Sequence, residues 1–285
     1  MRIKEKRRQK PDWLKIKLPG GEKYSKLKGI IQSHGLHTIC TSGKCPNAGE
    51  CWNDGTATFM ILGEICTRSC KFCSVISGKP LPPDPNEPDL IAKSIKLMEL
   101  KHAVITSVDR DDLEDGGAEI WAKTINKVKE LNPSVTLEVL IPDFGANINY
   151  LQKIIETKPE IISHNLETIK RLTPLVRSRA EYYSSLKIIN WISESGIVPK
   201  SGIMLGLGET YTEVLELMDD LIEVGCKVFT IGQYLQPSDE QLEVVEFVRP
   251  ELFEKYKNIG LEKGFKIVES GPLVRSSYHA EKHII

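Results

Sequence analysis

Six of the seven cysteines fall into two tight groups. The first reads Cys66-Thr-Arg-Ser-Cys70-Lys-Phe-Cys73, a CxxxCxxC spacing. Three thiolates on one short loop supply three corners of a [4Fe–4S] cube and leave one iron without a protein ligand, open to a cofactor or substrate. Tetrahedral zinc normally takes four closed ligands and more often shows paired CxxC knuckles. The second group, Cys40-Thr-Ser-Gly-Lys-Cys45-Pro-Asn-Ala-Gly-Glu-Cys51, has the spacing CxxxxCxxxxxC. Alone it fits a cluster, a zinc site or merely buried thiols. Next to the first trio, a second cluster becomes the stronger reading. The seventh cysteine, Cys226, sits at the entry to an apolar run and reads as a small buried hydrophobe.

The elements that must hold these loops follow from the hydrophobic period. Strand-like apolar runs occur at 57–63, 103–108, 135–141, 161–164, 202–206 and 228–234, with amphipathic helical patterns between them at 90–100, 118–131, 149–156, 184–195 and 213–224. Six βα units in series imply a parallel sheet with right-handed crossovers, either doubly wound or curled into a barrel. The CxxxCxxC loop directly follows the first strand, where active sites of such folds form. A tail offers a helix at 251–263 and a short strand at 265–269. Residues 1–55 carry charge, turns, the second trio and only a weak helical period at 24–31. That arm is too poor in apolar residues for its own core and must pack on something else or be tied by metal.

The 285 residues are 40% hydrophobic and 27% charged with a formal net charge of -1, which favours neither nucleic acid nor a membrane as a bulk partner. The basic stretch 2–10 is a local exception; it reads as a solvated terminus, or else as a contact for an acidic partner protein. No run of 18 apolar residues is present, and no apolar segment follows the N-terminal charges as a signal peptide requires. A cytoplasmic location is therefore expected, where thiols favour metal or redox work over disulfides.

The two trios together resemble those of lipoyl synthases, a family of the radical S-adenosylmethionine (SAM) superfamily. Other segments agree: Lys10-Pro-Asp-Trp13 and Lys17-Leu-Pro-Gly, Leu36-His-Thr-Ile-Cys40, Cys45-Pro-Asn-Ala-Gly-Glu-Cys51-Trp52, Thr106-Ser-Val-Asp109-Arg110-Asp-Asp112, His164-Asn165-Leu-Glu167, Gly206-Leu-Gly208-Glu209 and Val274-Arg275-Ser276-Ser277-Tyr278. The resemblance implies a partial TIM-like (β/α)6 barrel over residues 56–245. It also implies an N-terminal extension, 1–55, with the auxiliary-cluster loop, and a C-terminal extension, 246–285, with the RSSY motif. Cys66, Cys70 and Cys73 would hold the cluster that SAM chelates. Cys40, Cys45 and Cys51 would hold an auxiliary cluster, with Ser277 as fourth ligand and Ser276 the near miss. Serine oxygen is poorly matched to iron compared with thiolate, so that corner would be the labile one. Phe72, Asp109, Asn165, Glu167 and Arg179 would contact the cofactor.

The implied reaction inserts sulfur at C6 and C8 of an octanoyl chain on a carrier lysine. Side-chain bases span pKa values of about 4 to 13 and cannot deprotonate an alkane. Hydrogen-atom abstraction by a 5′-deoxyadenosyl radical is therefore needed, one SAM for each C–H bond, with the auxiliary cluster as sulfur donor. Expected partners are octanoylated carrier domains (the glycine cleavage H protein or the E2 subunits of 2-oxoacid dehydrogenases) and an electron donor such as ferredoxin or flavodoxin. The chain is expected to be a monomer.

Other residues have blander readings. Arg110 and Asp112 suit a solvated turn as well as a cofactor contact. His164 reads as a satisfied structural histidine. Gly206 and Gly208 suit a tight strand-to-helix turn, since the spacing lacks the third glycine of a dinucleotide loop. Arg177 and Arg179 could bind carboxylate or flank a helix start; Leu217, Leu221 and Ile222 read as core. The rival readings are a biotin-synthase-like or methylthiotransferase-like enzyme, and a ferredoxin-like carrier or zinc module.

Overall fold

In the computed structural model of the chain, residues 9–15, 24–25, 28–29, 31, 38, 40, 45 and 47–285 are described. Residues 2–8 of the basic stretch, the 17–20 motif and positions 36, 37 and 39 lie outside the described residues. Within 24–31, the described positions 24, 25, 28, 29 and 31 are helical.

Seven parallel strands form one sheet in the order β1 (Thr56–Ile61), β4 (His102–Ser107), β5 (Thr136–Leu140), β6 (Ile161–Ser163), β7 (Val198–Leu205), β8 (Val228–Gln233) and β9 (Ile267–Gly271). A two-residue ladder of β2 (Ile65–Cys66) and β3 (Ile76–Ser77) brackets the CxxxCxxC loop. The helices are α1 (Ala48–Asn53), α2 (Glu87–Leu97), α3 (Ala118–Leu131), α4 (Ile148–Ile155), α5 (Thr173–Val176), α6 (Tyr182–Glu194), α7 (Tyr211–Glu223) and α8 (Pro250–Lys263). Both β1 and β8 are buried at every position, which is why they read as unbroken apolar or small-residue runs rather than alternating ones. A capping box, in which Thr210 and Glu213 satisfy each other's backbone N–H groups, starts α7. Leu217 and Leu221 then pack into the core. No helix among the described residues is long and apolar enough to cross a membrane.

The sheet is curled. Thr58 and Met60 of β1, Thr106 of β4, Leu140 of β5, Met204 of β7 and Thr230 of β8 all line one cavity. Yet β1 and β9 are edges and do not pair with each other, so the architecture is a partial barrel. The tail supplies one strand more than six βα units: β9 extends the sheet beside β8. Sequence pattern finds this strand but not its partner, because pairing depends on where α8 returns the chain. Likewise β7 begins at Val198, before the apolar run at 202–206, because the charged Lys200 is buried inside the barrel.

Segments from the two halves of the sequence, around 38–56 and 273–281, meet at the open side. Thr38 forms an antiparallel bridge with Phe59 on the free edge of β1. Asn47 Nδ2 donates to the Leu273 carbonyl at 2.7 Å, and Thr56 Oγ1 donates to Glu281 Oε2 at 3.0 Å. The Tyr278 hydroxyl donates to Glu50 at 3.2 Å. The tail passes so close to β8 that a Cβ on Gly232 would stand 2.1 Å from the Val274 carbonyl oxygen. Backbone there cannot yield as a flexible side chain would. Gly232→Ala should therefore cost about 1–3 kcal/mol of stability, read as a lower urea midpoint; an unchanged midpoint would show that the tail does not lie in this seam.

Candidate active site

The cavity inside the curl has a volume of about 360 Å³, within the range of small-molecule sites. Cys66, Cys70 and Cys73 stand in its lining with Phe72, Asp109, Asn165 and Glu167. Backbone N–H groups point at two of the sulfurs. Arg68 N and Asp109 N donate to Cys66 Sγ at 3.4 and 3.3 Å, and Val75 N donates to Cys73 Sγ at 3.4 Å. Such donors stabilise cluster thiolates and tune their potential. Burial pushes the Cys66 and Cys73 thiols up to about 11, aided at Cys66 by Asp109 and at Cys73 by the neighbouring thiols. Raised thiols at Cys66 and Cys73 lose their protons when they bind metal, so cluster assembly must release protons.

Arg68, inside the motif, fixes the loop. Its guanidinium donates to both Asp143 oxygens at 2.7 Å and to Asp111 at 2.7 and 2.9 Å, and lies 3.3 Å from Asp109. These bidentate pairs compensate its burial. Asp109 itself is pushed up to about 6 by burial, against the pull of Arg68, with Asp143 and Asp111 adding to the rise. Thr67 N and Oγ1 donate to the Asp109 carbonyl, and Ser77 Oγ donates to the Arg68 carbonyl at 2.8 Å. The loop is thus preorganised by its second turn of contacts rather than by its own sequence.

Across the cavity, Asn165 Nδ2 donates to Glu167 Oε1 at 3.1 Å, while Asn165 Oδ1 is buried with no partner among the described residues. Glu167 adopts a left-handed backbone at φ 66, and burial raises its carboxyl. Arg177 lines the same wall and donates to Ser185 Oγ at 2.8 Å. Arg179 stands outside the lining, exposed, 3.1 Å from Asp111. Arg110 turns away: it holds Asp112 at 2.9 Å and donates to the carbonyls of Leu62 and Leu81. Gly206 and Gly208 (φ 98 and 104) form a turn whose N–H groups are capped by Glu209, away from the cavity. His164 reaches the lining but both ring nitrogens are engaged, with the Ile141 carbonyl and Ser185. Cys226 is buried among backbone carbonyls.

The second trio forms an adjoining hollow lined by Cys40, Cys45, Cys51, Thr58, Arg275, Ser277 and Tyr278. Ser277, Arg275 and Thr58 line both spaces, so the two trios share a wall; Ser276 lines only the larger one. Burial raises Cys40 to about 11, and burial with the charges of Cys45 and Cys40 raises Cys51 to about 12. Among the described residues, the group with three ligand atoms within 4.8 Å of one another is Glu50, Asp54 and His279 on the surface; neither cysteine trio is drawn so tight. Tetrahedral Zn–S bonds of about 2.3 Å would hold sulfurs about 3.8 Å apart. The splayed thiols, open to a hollow and met by N–H donors, fit the corners of a cube better than one zinc ion.

Sequence pattern alone does not single out Arg68, Asp143, Asp111, Thr58 or Arg275. Arg68 carried a faint signal, being a lone cation between two ligand cysteines. Asp143 carried none, because only the curl of the sheet brings it there.

A curled parallel sheet with an open-cornered thiol loop after its first strand defines a radical SAM enzyme, and residues 60–221 match the radical SAM superfamily. A crystal structure of Streptococcus suis SuiB bound to S-adenosylmethionine shares the fold, with a TM-score of 0.60 at 12% identity, covering 78% of this chain and 53% of that one. Residues 1–45 match the N-terminal domain of lipoyl synthase of the radical SAM family. Lipoyl synthase of Treponema denticola is 64% identical over 97% of this chain and 96% of its own length; that of Parabacteroides distasonis is 62% identical over 97% and 98%. The chain belongs to the lipoyl synthase family: it is a radical SAM sulfurtransferase that uses two [4Fe–4S] clusters and SAM.

Burial and the Arg177 charge hold His164 down at about 4 against an ordinary 6.5. The unfolded chain binds that proton first as pH falls, so this histidine removes stability between pH 6.5 and 4. Between pH 6.5 and 5 the loss amounts to about 2 kcal/mol, and His164→Asn should flatten the denaturation-versus-pH slope by that much. Superimposable slopes for variant and parent would contradict a neutral, buried imidazole.

Proposed function

We propose that Cys66, Cys70 and Cys73 hold the SAM-chelating cluster, and that Cys40, Cys45, Cys51 and Ser277 hold the auxiliary one. The observation that carries this assignment is the shared wall: Ser277 faces both the second trio and the cavity of the first. A sulfur donor placed there lies beside the space in which a substrate carbon is activated. When bound, these groups supply an electron, a 5′-deoxyadenosyl hydrogen-atom acceptor and sulfur, chemistry that no side chain here provides.

The chain's own residues position the reactants. Arg68 and its three carboxylates fix the thiol loop. Asn165 Oδ1 and Glu167 present acceptors, and Arg177 a cation, suited to the ammonium, hydroxyl and carboxylate groups of SAM; Phe72 and Asp109 flank them. Arg179 acts from the rim through Asp111. Met60, Val75, Val108, Ile141 and Met204 give the lining an apolar face suited to an eight-carbon chain. The substrate is then an octanoyl-lysine on a carrier domain, such as the glycine cleavage H protein or a 2-oxoacid dehydrogenase E2 subunit. Ferredoxin or flavodoxin supplies electrons to a cytoplasmic monomer. The chain divides into the cysteine arm at 1–55, the barrel at 56–245 and the extension at 246–285, whose α8 and β9 continue the sheet before the RSSY segment.

The reconstituted protein should carry about eight irons per chain, cleave SAM only with a strong reductant and convert an octanoylated carrier peptide to its lipoyl form. Four irons with no SAM cleavage would instead indicate an electron carrier. Ser277→Ala should lower lipoyl yield by at least about tenfold with a far smaller fall in SAM cleavage; equal losses of both would remove Ser277 from its assigned place.

A further inference from the structure

The last residues of the chain run to the opposite end of the barrel. There Lys200 of β7 and Glu138 of β5 form an ion pair with no exposed surface. Lys200 Nζ donates to both Glu138 oxygens at 2.8 Å, and Ser163 Oγ donates to Glu138 Oε1 at 2.8 Å. An ammonium has three donors. The third meets His283 Nδ1 at 3.0 Å, so that nitrogen accepts and the ring proton lies on Nε2. His283 is itself wholly buried, although Lys282, Ile284 and Ile285 around it are exposed.

The geometry points to His283 as a positioning residue for Ser277: it pegs the tail to the buried Lys200–Glu138 pair and so fixes where the serine stands between the two cysteine hollows. The segment between them is short and is held from outside at few points. Those points include Tyr278 and His279 on Glu50, Thr56 on Glu281 and the buried Ala280. It includes His279 in a left-handed backbone, φ 51, uncommon for a residue with a Cβ. The His283 contact is the one that takes up the remaining donor of a buried ammonium, so it selects a single register for the tail. A slip there would move Ser277 off the second trio while leaving the CxxxCxxC loop, which Arg68 anchors, in place. This inference rests on the reading of Ser277 as auxiliary ligand.

The test uses the cluster-loaded enzyme and its His283→Ala and His283→Asn variants, asparagine Oδ1 taking the place of Nδ1. Amide hydrogen exchange over 274–279, release of iron to a chelator and reductant-dependent SAM cleavage are measured on each. For His283→Ala we expect exchange over 274–279 and early iron release to rise at least tenfold, with SAM cleavage within twofold of the parent; His283→Asn should return both toward the parent. If His283→Ala does not accumulate folded, the Lys200→Met/Glu138→Leu double variant removes the peg's partner without leaving an unpaired charge and should show the same loosening. Parent-like exchange in these variants overturns the proposal, as does a parallel loss of SAM cleavage and both clusters. Ser277→Ala run alongside separates the two ideas. Iron release no faster than the parent in that variant defeats the ligand reading, while the exchange data still judge the peg.

Discussion

The sheet does not close, and the rest of the molecule is arranged around that fact. Seven parallel strands curl around one cavity, yet β1 and β9 remain unpaired edges. An open edge of parallel sheet exposes backbone donors and acceptors that must be covered. The N-terminal arm bridges β1 at Phe59, and the tail lies along the same seam from Leu273 to Glu281. The cysteines of residues 40–51 and the serines of 276–277, far apart in the chain, are brought together because both segments serve as covers for one gap. The hollow lined by the second trio and Ser277 is therefore a consequence of incomplete closure.

Two buried charge systems set the ends of the barrel. At the mouth, one guanidinium serves Asp109, Asp111 and Asp143 and keeps the thiol loop rigid. At the base, Lys200 and Glu138 neutralise each other without access to water. Paired buried charges contribute little net stability, because desolvation offsets their attraction, yet they specify one arrangement by making every alternative leave a charge unpaired. That division keeps the thiol loop fixed at one end of the barrel independently of the pair at the other. The apolar shells that support both systems come from the outer faces of the same strands and from α2, α3, α6 and α7.

Sequence pattern alone carries much of this. The spacing of Cys66, Cys70 and Cys73 specifies a three-thiolate loop, because ligands that close in sequence must converge in space. The seven sheet strands and the helices between them are legible because strands buried on both faces are continuous apolar runs, while amphipathic helices repeat every three to four residues. Resemblance to a family adds the roles proposed for Cys40, Cys45, Cys51 and Ser277. Other features lie beyond reach. Lys200 and Glu138 look like surface residues because a charge in a strand signals solvent unless its partner is known. Arg177 and Arg179 are equivalent in sequence, and only the path of the chain after α5 puts the first in the wall and leaves the second exposed.

By itself, then, the sequence determined the local chemistry and the local elements: which atoms can hold iron, which loop carries them and which segments form strand or helix. These depend on spacings of a few residues, which the covalent chain enforces. Tertiary structure alone decided that the two trios share a wall, that Asp143 reaches Arg68, that β9 becomes a seventh strand and that His283 meets Lys200. Each of those joins positions distant in the chain, and such contacts are set by the curl of the whole sheet and by the seam it leaves open.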